Sequence, residues 1–174
     1  MLHNLFTDEW EKALDAQFQR NDRCRKRAYI CSPLSAETDE EQLHNMKCAR
    51  AYMLYAYKMM GYLARAPHAY LPVLLCDRVA AERALALRFG IQLLELSDVL
   101  LVCGDRLSEG MRGEISHAAK LGMQIIVFDE ALYVEVKKLV TRSGGDKRIV
   151  RLDRQNLIMS FCPLNDIKAV AADA

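Results

Sequence analysis

A chain of 174 residues that is 52% hydrophobic and 27% charged suits one domain with a sizeable core. Its net charge of +1 gives no overall pull toward nucleic acid, and no stretch approaches the ~20 apolar residues of a membrane-spanning helix, so neither partner is expected. Six cysteines (Cys24, Cys31, Cys48, Cys76, Cys103 and Cys162) are scattered without a C-x-x-C pair; they read as small packing hydrophobes rather than metal ligands, and neither a metal nor a cofactor is expected.

Taken in order, Leu5–Phe18 has the spacing of a short amphipathic helix, with Leu5, Phe6, Trp10, Leu14 and Phe18 near one face. Asp8 and Glu9 do not suit a secretory leader, which together with the cysteine pattern points to a reducing cytoplasm. The basic stretch Arg20–Arg27 reads as a solvated linker, so residues 1–26 form an N-terminal helix and linker ahead of an α/β domain over 27–142. Ala28-Tyr29-Ile30-Cys31 is a compact apolar strand ended by Ser32-Pro33, followed by a polar loop. Asp39, Glu40 and Glu41 suit a helix N-terminus, and a long helix is predicted from about Glu40 to Leu63. Its Tyr52–Tyr57 stretch is apolar almost all round, which implies cover by the sheet on one side and by a second subunit on the other. A homo-oligomer formed through helix 40–63 is therefore expected.

Ala64–Tyr70 is placed as a second short strand, with His68 at the handover to a loop; a lone histidine there is weighed first as structural. Leu71–Leu75, interrupted by Pro72, reads as loop or a helical turn. A further helix starts at Asp77 or Val79 and runs to about Phe89, with Ile91–Leu96 continuing beyond a kink at Gly90. Val99–Cys103 is the third strand, and Gly104-Asp105-Arg106-Leu107 leads to Ser108-Glu109-Gly110-Met111-Arg112-Gly113-Glu114. A helix from Gly110 or Met111 to Leu121 follows, stopped by Gly122. Gln124–Phe128 is a fourth strand and Leu132–Val140 a further helix. Beyond the Ser143–Asp146 turn, 143–174 is a C-terminal extension in which Arg148–Leu152 and Leu157–Phe161 read as edge strands or a tail. Strands alternating with helices imply a doubly wound, mainly parallel sheet, Rossmann-like or flavodoxin-like, in a three-layer α/β/α arrangement.

The strand-to-helix turn at Ser108–Glu114 is where an open α/β sheet binds ligands. With the helix starting at Gly110, the Gly110, Met111 and Arg112 amides are unpaired by the backbone. With the Ser108 hydroxyl, they can hold an anionic or hydroxyl-rich group. Glu114, one turn in, is a carboxylate of the kind that attacks an anomeric carbon. The bland alternative is that Glu114 merely caps its helix and Ser108 satisfies the turn. Arg112 is either a phosphate ligand or a surface charge. Asp98 either positions a ligand or pairs with an arginine such as Arg88.

Tyr29-Ile30-Cys31-Ser32-Pro33, Ala66-Pro67-His68, Leu96–Val102 and the Ser108-x-Gly110-x-x-x-Glu114 spacing together resemble the nucleoside 2-deoxyribosyltransferase-like superfamily. The likeness is to its DUF4406-like branch and its deoxynucleoside monophosphate N-glycosidases, and covers about Arg27 to Val140. The resemblance implies hydrolysis or transfer at the N-glycosidic bond of a nucleoside or nucleoside 5′-monophosphate. Glu114 would be the nucleophile and Tyr29 its support, or part of the sugar pocket. Ser108 and Gly110 would hold the 5′ end, with Met111 and Arg112 beside them, while Ser32, Pro33, His68 and Asp98 line the substrate site. Gly90 stands eight residues before Asp98, where those enzymes carry the aspartate that helps the base depart. Asp77, Glu82 and Glu95 are the acids near enough to replace it. A module that binds nucleotides in the same pocket without turnover is the alternative.

Overall fold

A computed structural model describes residues 25–76 and 78–161. The helix read at Leu5–Phe18, most of the basic linker, Asp77, and the extension beyond 161 lie outside the described residues.

Five short strands form one all-parallel sheet: β1 (Arg27–Cys31), β2 (Leu63–Arg65), β3 (Val99–Val102), β4 (Gln124–Val127) and β5 (Val150–Leu152). Their order is β2-β1-β3-β4-β5, the flavodoxin-like arrangement of the doubly wound fold. The chain runs outward from β1 to β2, then crosses back to β3 on the other side of β1. Helix α1 (Asp39–Met60) therefore lies on one face, and α2 (Ala80–Glu95), α3 (Glu109–Lys120) and α4 (Glu130–Arg142) on the other, as right-handed crossovers require.

Alternation along the central strands divides the core. Ala28 and Ile30 of β1, with Val99 and Leu101 of β3, meet Ala49, Tyr52 and Ala56 of α1. Tyr29 and Cys31, with Leu100 and Val102, face Leu94 of α2, Met111 and Ile115 of α3, and Val136 and Val140 of α4. Both faces are covered, so β1 and β3 read as unbroken apolar runs. Each fully buried aliphatic side chain contributes roughly 1.5–3 kcal/mol.

Local signals set the helix ends. Thr38 accepts from the Glu41 amide at 3.1 Å while the Glu41 carboxylate reaches the Thr38 amide at 3.4 Å, a reciprocal cap. Gly61, in the left-handed region at φ 71°, stops α1 at Met60, so the chain turns into β2 three residues before the expected helix end at Leu63.

Other boundaries also move. The second strand is only Leu63–Arg65, because Pro67 opens a 3-10 turn over Pro67–Ala69. Leu71–Leu74 is one helical turn, and α2 runs continuously through Gly90 to Glu95. The residues 143–174 read as an extension contain β5, which completes the sheet through its pairing with β4. Leu157–Ser160 is a 3-10 turn rather than an edge strand, and its Met159 closes the α1 side of the core.

The tyrosine-rich helix carries less free apolar surface than expected. Tyr52 and Tyr57 are buried in this chain, and the partly buried Tyr55 donates to Asn156 Oδ1 at 3.4 Å. Its exposed large apolar residues are Leu43 and Met59. Cys31 and Cys103 are buried free thiols, whereas Cys48 is disulfide-bonded, unlike the lone packing thiol expected and unlike most cysteines of a reducing compartment. No helix among the described residues is long and apolar enough to cross a membrane.

Candidate functional site

In this topology the chain leaves β1 and β3 in opposite directions, opening a crevice at the carboxyl ends of those strands where doubly wound sheets take their ligands. Two loops form its lips: residues 32–38 after β1 and 103–108 after β3. The Cys103 amide at the start of the second loop donates to Cys31 O at 2.8 Å, just before the first; Gly104, at φ 95°, donates to Met159 O at 2.8 Å. A Cβ at Gly104 would come within 2.9 Å of Pro33 Cδ. Pro33 thus shapes the crevice by packing on the opposite lip.

At this end of the sheet, Tyr29 and Glu114 meet across 85 residues of sequence. The Tyr29 hydroxyl donates to Glu114 Oε1 at 2.6 Å, near the short end for an O–H···O bond. Tyr29 is held by β2 and β3 on either side of its strand, with its ring in the core. Helix α3 brings Glu114 over the same face, while Ile115, next in sequence, enters the core. The Glu114 side chain keeps some exposure to solvent, but protein atoms crowd it closely.

That setting decides its charge. Burial pushes the Glu114 carboxyl up from its ordinary value to about 7, and hydrogen bonds from Tyr29 and from the Cys31 thiol hold it back from rising further. Burial, reinforced by the nearby Glu114 charge, raises the Tyr29 hydroxyl and the Cys31 thiol well above their ordinary ranges. Both therefore stay protonated and act as donors. A carboxyl that titrates near neutrality against a fixed hydroxyl donor can serve as nucleophile, general base or general acid.

Ser108 is the N-cap of α3. Its Oγ accepts from the Met111 amide at 3.3 Å, and its carbonyl accepts from the Arg112 amide at 3.1 Å. Two of the three amides expected to face a ligand are therefore already occupied. The Gly110 amide makes no hydrogen bond among the described residues, and the Ser108 hydroxyl hydrogen remains available for donation. Gly110 lies four residues before Glu114, on the same side of the helix. Met111 itself is a buried core residue.

Two expected site residues lie elsewhere. Arg112 projects from another face of α3 and pairs with Glu135 of α4. Asp98 is at the amino end of β3, opposite the crevice. There it accepts from the Arg27 amide at 2.7 Å and pairs with the Arg27 guanidinium at 2.9 Å, rather than with Arg88. These bonds hold its carboxyl down at about 2.

Ser32 and His68, which the sequence presents only as separate residues, come together as a pair. Ser32 Oγ and His68 Nε2 are 2.7 Å apart. Burial lowers the imidazole to about 4, so it is neutral at physiological pH. A signal for the pair exists in the sequence, since Ser32 follows β1 and His68 follows β2, and adjacent parallel strands end side by side. Cys31 beside Glu114 was not anticipated, although strand alternation places it on the same face as Tyr29. Gly90, where the resemblance calls for an acid, is buried in α2 directly against the Tyr29 hydroxyl. Of the acids weighed as replacements, Glu82 is engaged with the Cys76 amide and Glu95 with His117.

Among the surface grooves, one of about 820 Å³ lies over the same end of the sheet, lined by Ser35, Glu37, Glu40, His44 and Arg106 among others. A second, lined by Arg112, Glu135 and Lys138, is on the α3–α4 surface, and a third runs along α4. None of these three is lined by Tyr29 or Glu114. Among the described residues no group of three or more His, Cys, Asp or Glu is placed to hold a metal ion.

No curated protein matches the chain. The model of one family, a domain of unknown function designated DUF7768, matches residues 26–128, from β1 through the end of β4 and including both lips of the crevice. The chain belongs to the DUF7768 family.

Proposed function

We propose that the protein cleaves, or transfers across, the N-glycosidic bond of a nucleoside or nucleoside 5′-monophosphate, with Glu114 as the nucleophile. The observation that carries this reading is the 2.6 Å bond between Tyr29 and Glu114 at the crevice between β1 and β3. The resemblance to nucleoside 2-deoxyribosyltransferase-like enzymes in the Ser108–Glu114 spacing supports it. In the proposed step, ionised Glu114 forms a bond from a carboxylate oxygen to the anomeric carbon. The bond from that carbon to the base nitrogen breaks, and the base leaves with the electron pair and takes up a proton. Water or a second base then attacks the same carbon and releases the carboxylate. Tyr29 holds the carboxylate in place by a hydrogen bond. The Ser108 hydroxyl and the Gly110 amide are the donors left for the sugar's 5′ end.

Glu114→Ala should abolish release of free base from a panel of deoxynucleosides and their monophosphates, read by mass spectrometry. Unchanged release sinks the assignment. The second reading is a module that binds a nucleotide in the same crevice without turnover. Gly90 favours it, because a glycine supplies no acid for the departing base. It predicts saturable binding and a thermal shift with no free base. Self-association belongs to the proposal as well, and light scattering of the purified chain decides it.

A further inference from the structure

We propose that Gly90 is a positioning residue: its missing side chain leaves the space in which the Tyr29 hydroxyl sits to hold Glu114. Gly90 lies within the sixteen-residue helix α2, not at a turn. Its φ is not in the left-handed region, so backbone freedom does not explain a glycine there. Glycine weakens a helix interior relative to alanine, so a steric reason has weight.

The geometry supplies one. A Cβ on Gly90 would stand 3.3 Å from the Tyr29 hydroxyl and 3.9 Å from Pro67 Cγ, with no further neighbour within 4 Å. The first contact is tighter than packed side chains ordinarily make, whereas the second is ordinary van der Waals contact. The hydroxyl has little room to yield. Its residue is 1% exposed and its strand is fixed between β2 and β3. Its bond to Glu114 is already 2.6 Å, so it cannot retreat toward the carboxylate without a clash. A methyl group at this position therefore requires the hydroxyl to give by a few tenths of an ångström, and with the Glu114 side already closed that shift loosens its bond to the carboxylate. Tyr29 and Cys31 are the titratable groups that face Glu114, and Tyr70 is a further titratable neighbour of Tyr29.

The same contact shows that an acid at position 90 would compete with Tyr29 for one space. This site pairs a glycine with a tyrosine hydroxyl, and the carboxylate is governed from the strand side. That catalytic consequence rests on the function proposed above, but the steric assignment does not.

The test is a set of three variants of the full chain: Gly90→Ala, Tyr29→Phe and the two combined. Glu114 titration is followed by carboxyl carbon NMR and unfolding by Tm. Gly90→Ala should lower Tm and raise the Glu114 midpoint by about one pH unit, the shift expected when a hydrogen bond to a charged group is lost. In the Tyr29→Phe background the crowded oxygen is gone. Gly90→Ala should there leave the midpoint where Tyr29→Phe alone puts it, and should not lower Tm. If Gly90→Ala does not fold, a folded double variant supports the assignment and an unfolded one overturns it. An unshifted Glu114 midpoint in Gly90→Ala, or an equal Tm loss in both backgrounds, also overturns it. Base release by the wild-type chain is measured separately. Its absence refutes the proposed reaction and leaves the role of Gly90 untouched.

Discussion

Removing one oxygen atom, by Tyr29→Phe, tests the central pair most directly. Above neutrality the hydroxyl donates to an ionised carboxylate at 2.6 Å. A hydrogen bond to a charged group contributes about 1.5–3 kcal/mol. In acid the partner is a neutral carboxyl, and the same bond contributes about 0.5–1.5 kcal/mol. The destabilisation caused by Tyr29→Phe should therefore be about 1 kcal/mol near pH 5 and about 2 kcal/mol near pH 8.5. The difference corresponds to an upward move of roughly one unit in the Glu114 midpoint.

The sign follows from linkage. Glu114 is raised to about 7 in the folded protein, so its folded form favours the proton. Its contribution to stability is greatest below the ordinary carboxylate range and is lost as pH rises through about 7. Without the Tyr29 donor, that loss extends to higher pH and becomes larger. Urea unfolding of both proteins at the two pH values measures it. An equal loss at both pH values would refute the reasoning, because it would mean that the hydroxyl does not distinguish the two states of Glu114.

Ser108→Ala should cost about 1 kcal/mol through loss of the α3 cap, measured by urea unfolding. If Ser108 also holds the sugar end, the KM for nucleoside should rise by more than kcat falls. Tyr52→Ala should destabilise the chain by about 3 kcal/mol or more, because a buried aromatic leaves a cavity. Tyr52 is 3% exposed within one chain, so dissociation of an oligomer into equally stable monomers would contradict its placement.

The alternation of apolar residues with turn signals was enough to place the central strands, because β1 and β3 are buried on both faces and need continuous apolar runs. Local chemistry likewise marked Gly61 near the end of α1, Gly122 beyond α3 and the carboxylates of Asp39–Glu41 at a helix start. These features depend on a few neighbouring residues, so they are written within short windows. Boundaries slipped where a nearby residue overrode the pattern, as Pro67 did in cutting β2 short.

Tertiary structure decided what depends on distant partners. Strand order put β1 beside β3, and only that brought Tyr29 to Glu114 and Asp98 to Arg27 instead of Arg88. The direction in which α3 faces turned Arg112 toward Glu135 and away from the crevice. Cover by Asn156 and Met159 could not be read from the tyrosine-rich helix itself. Gly90 is the clearest case. In the sequence it marks an absent acid or a kink, whereas in the folded chain it is the space beside a tyrosine hydroxyl. A single sequence records residue types and their spacing, but the fit between two side chains exists only after packing has fixed both.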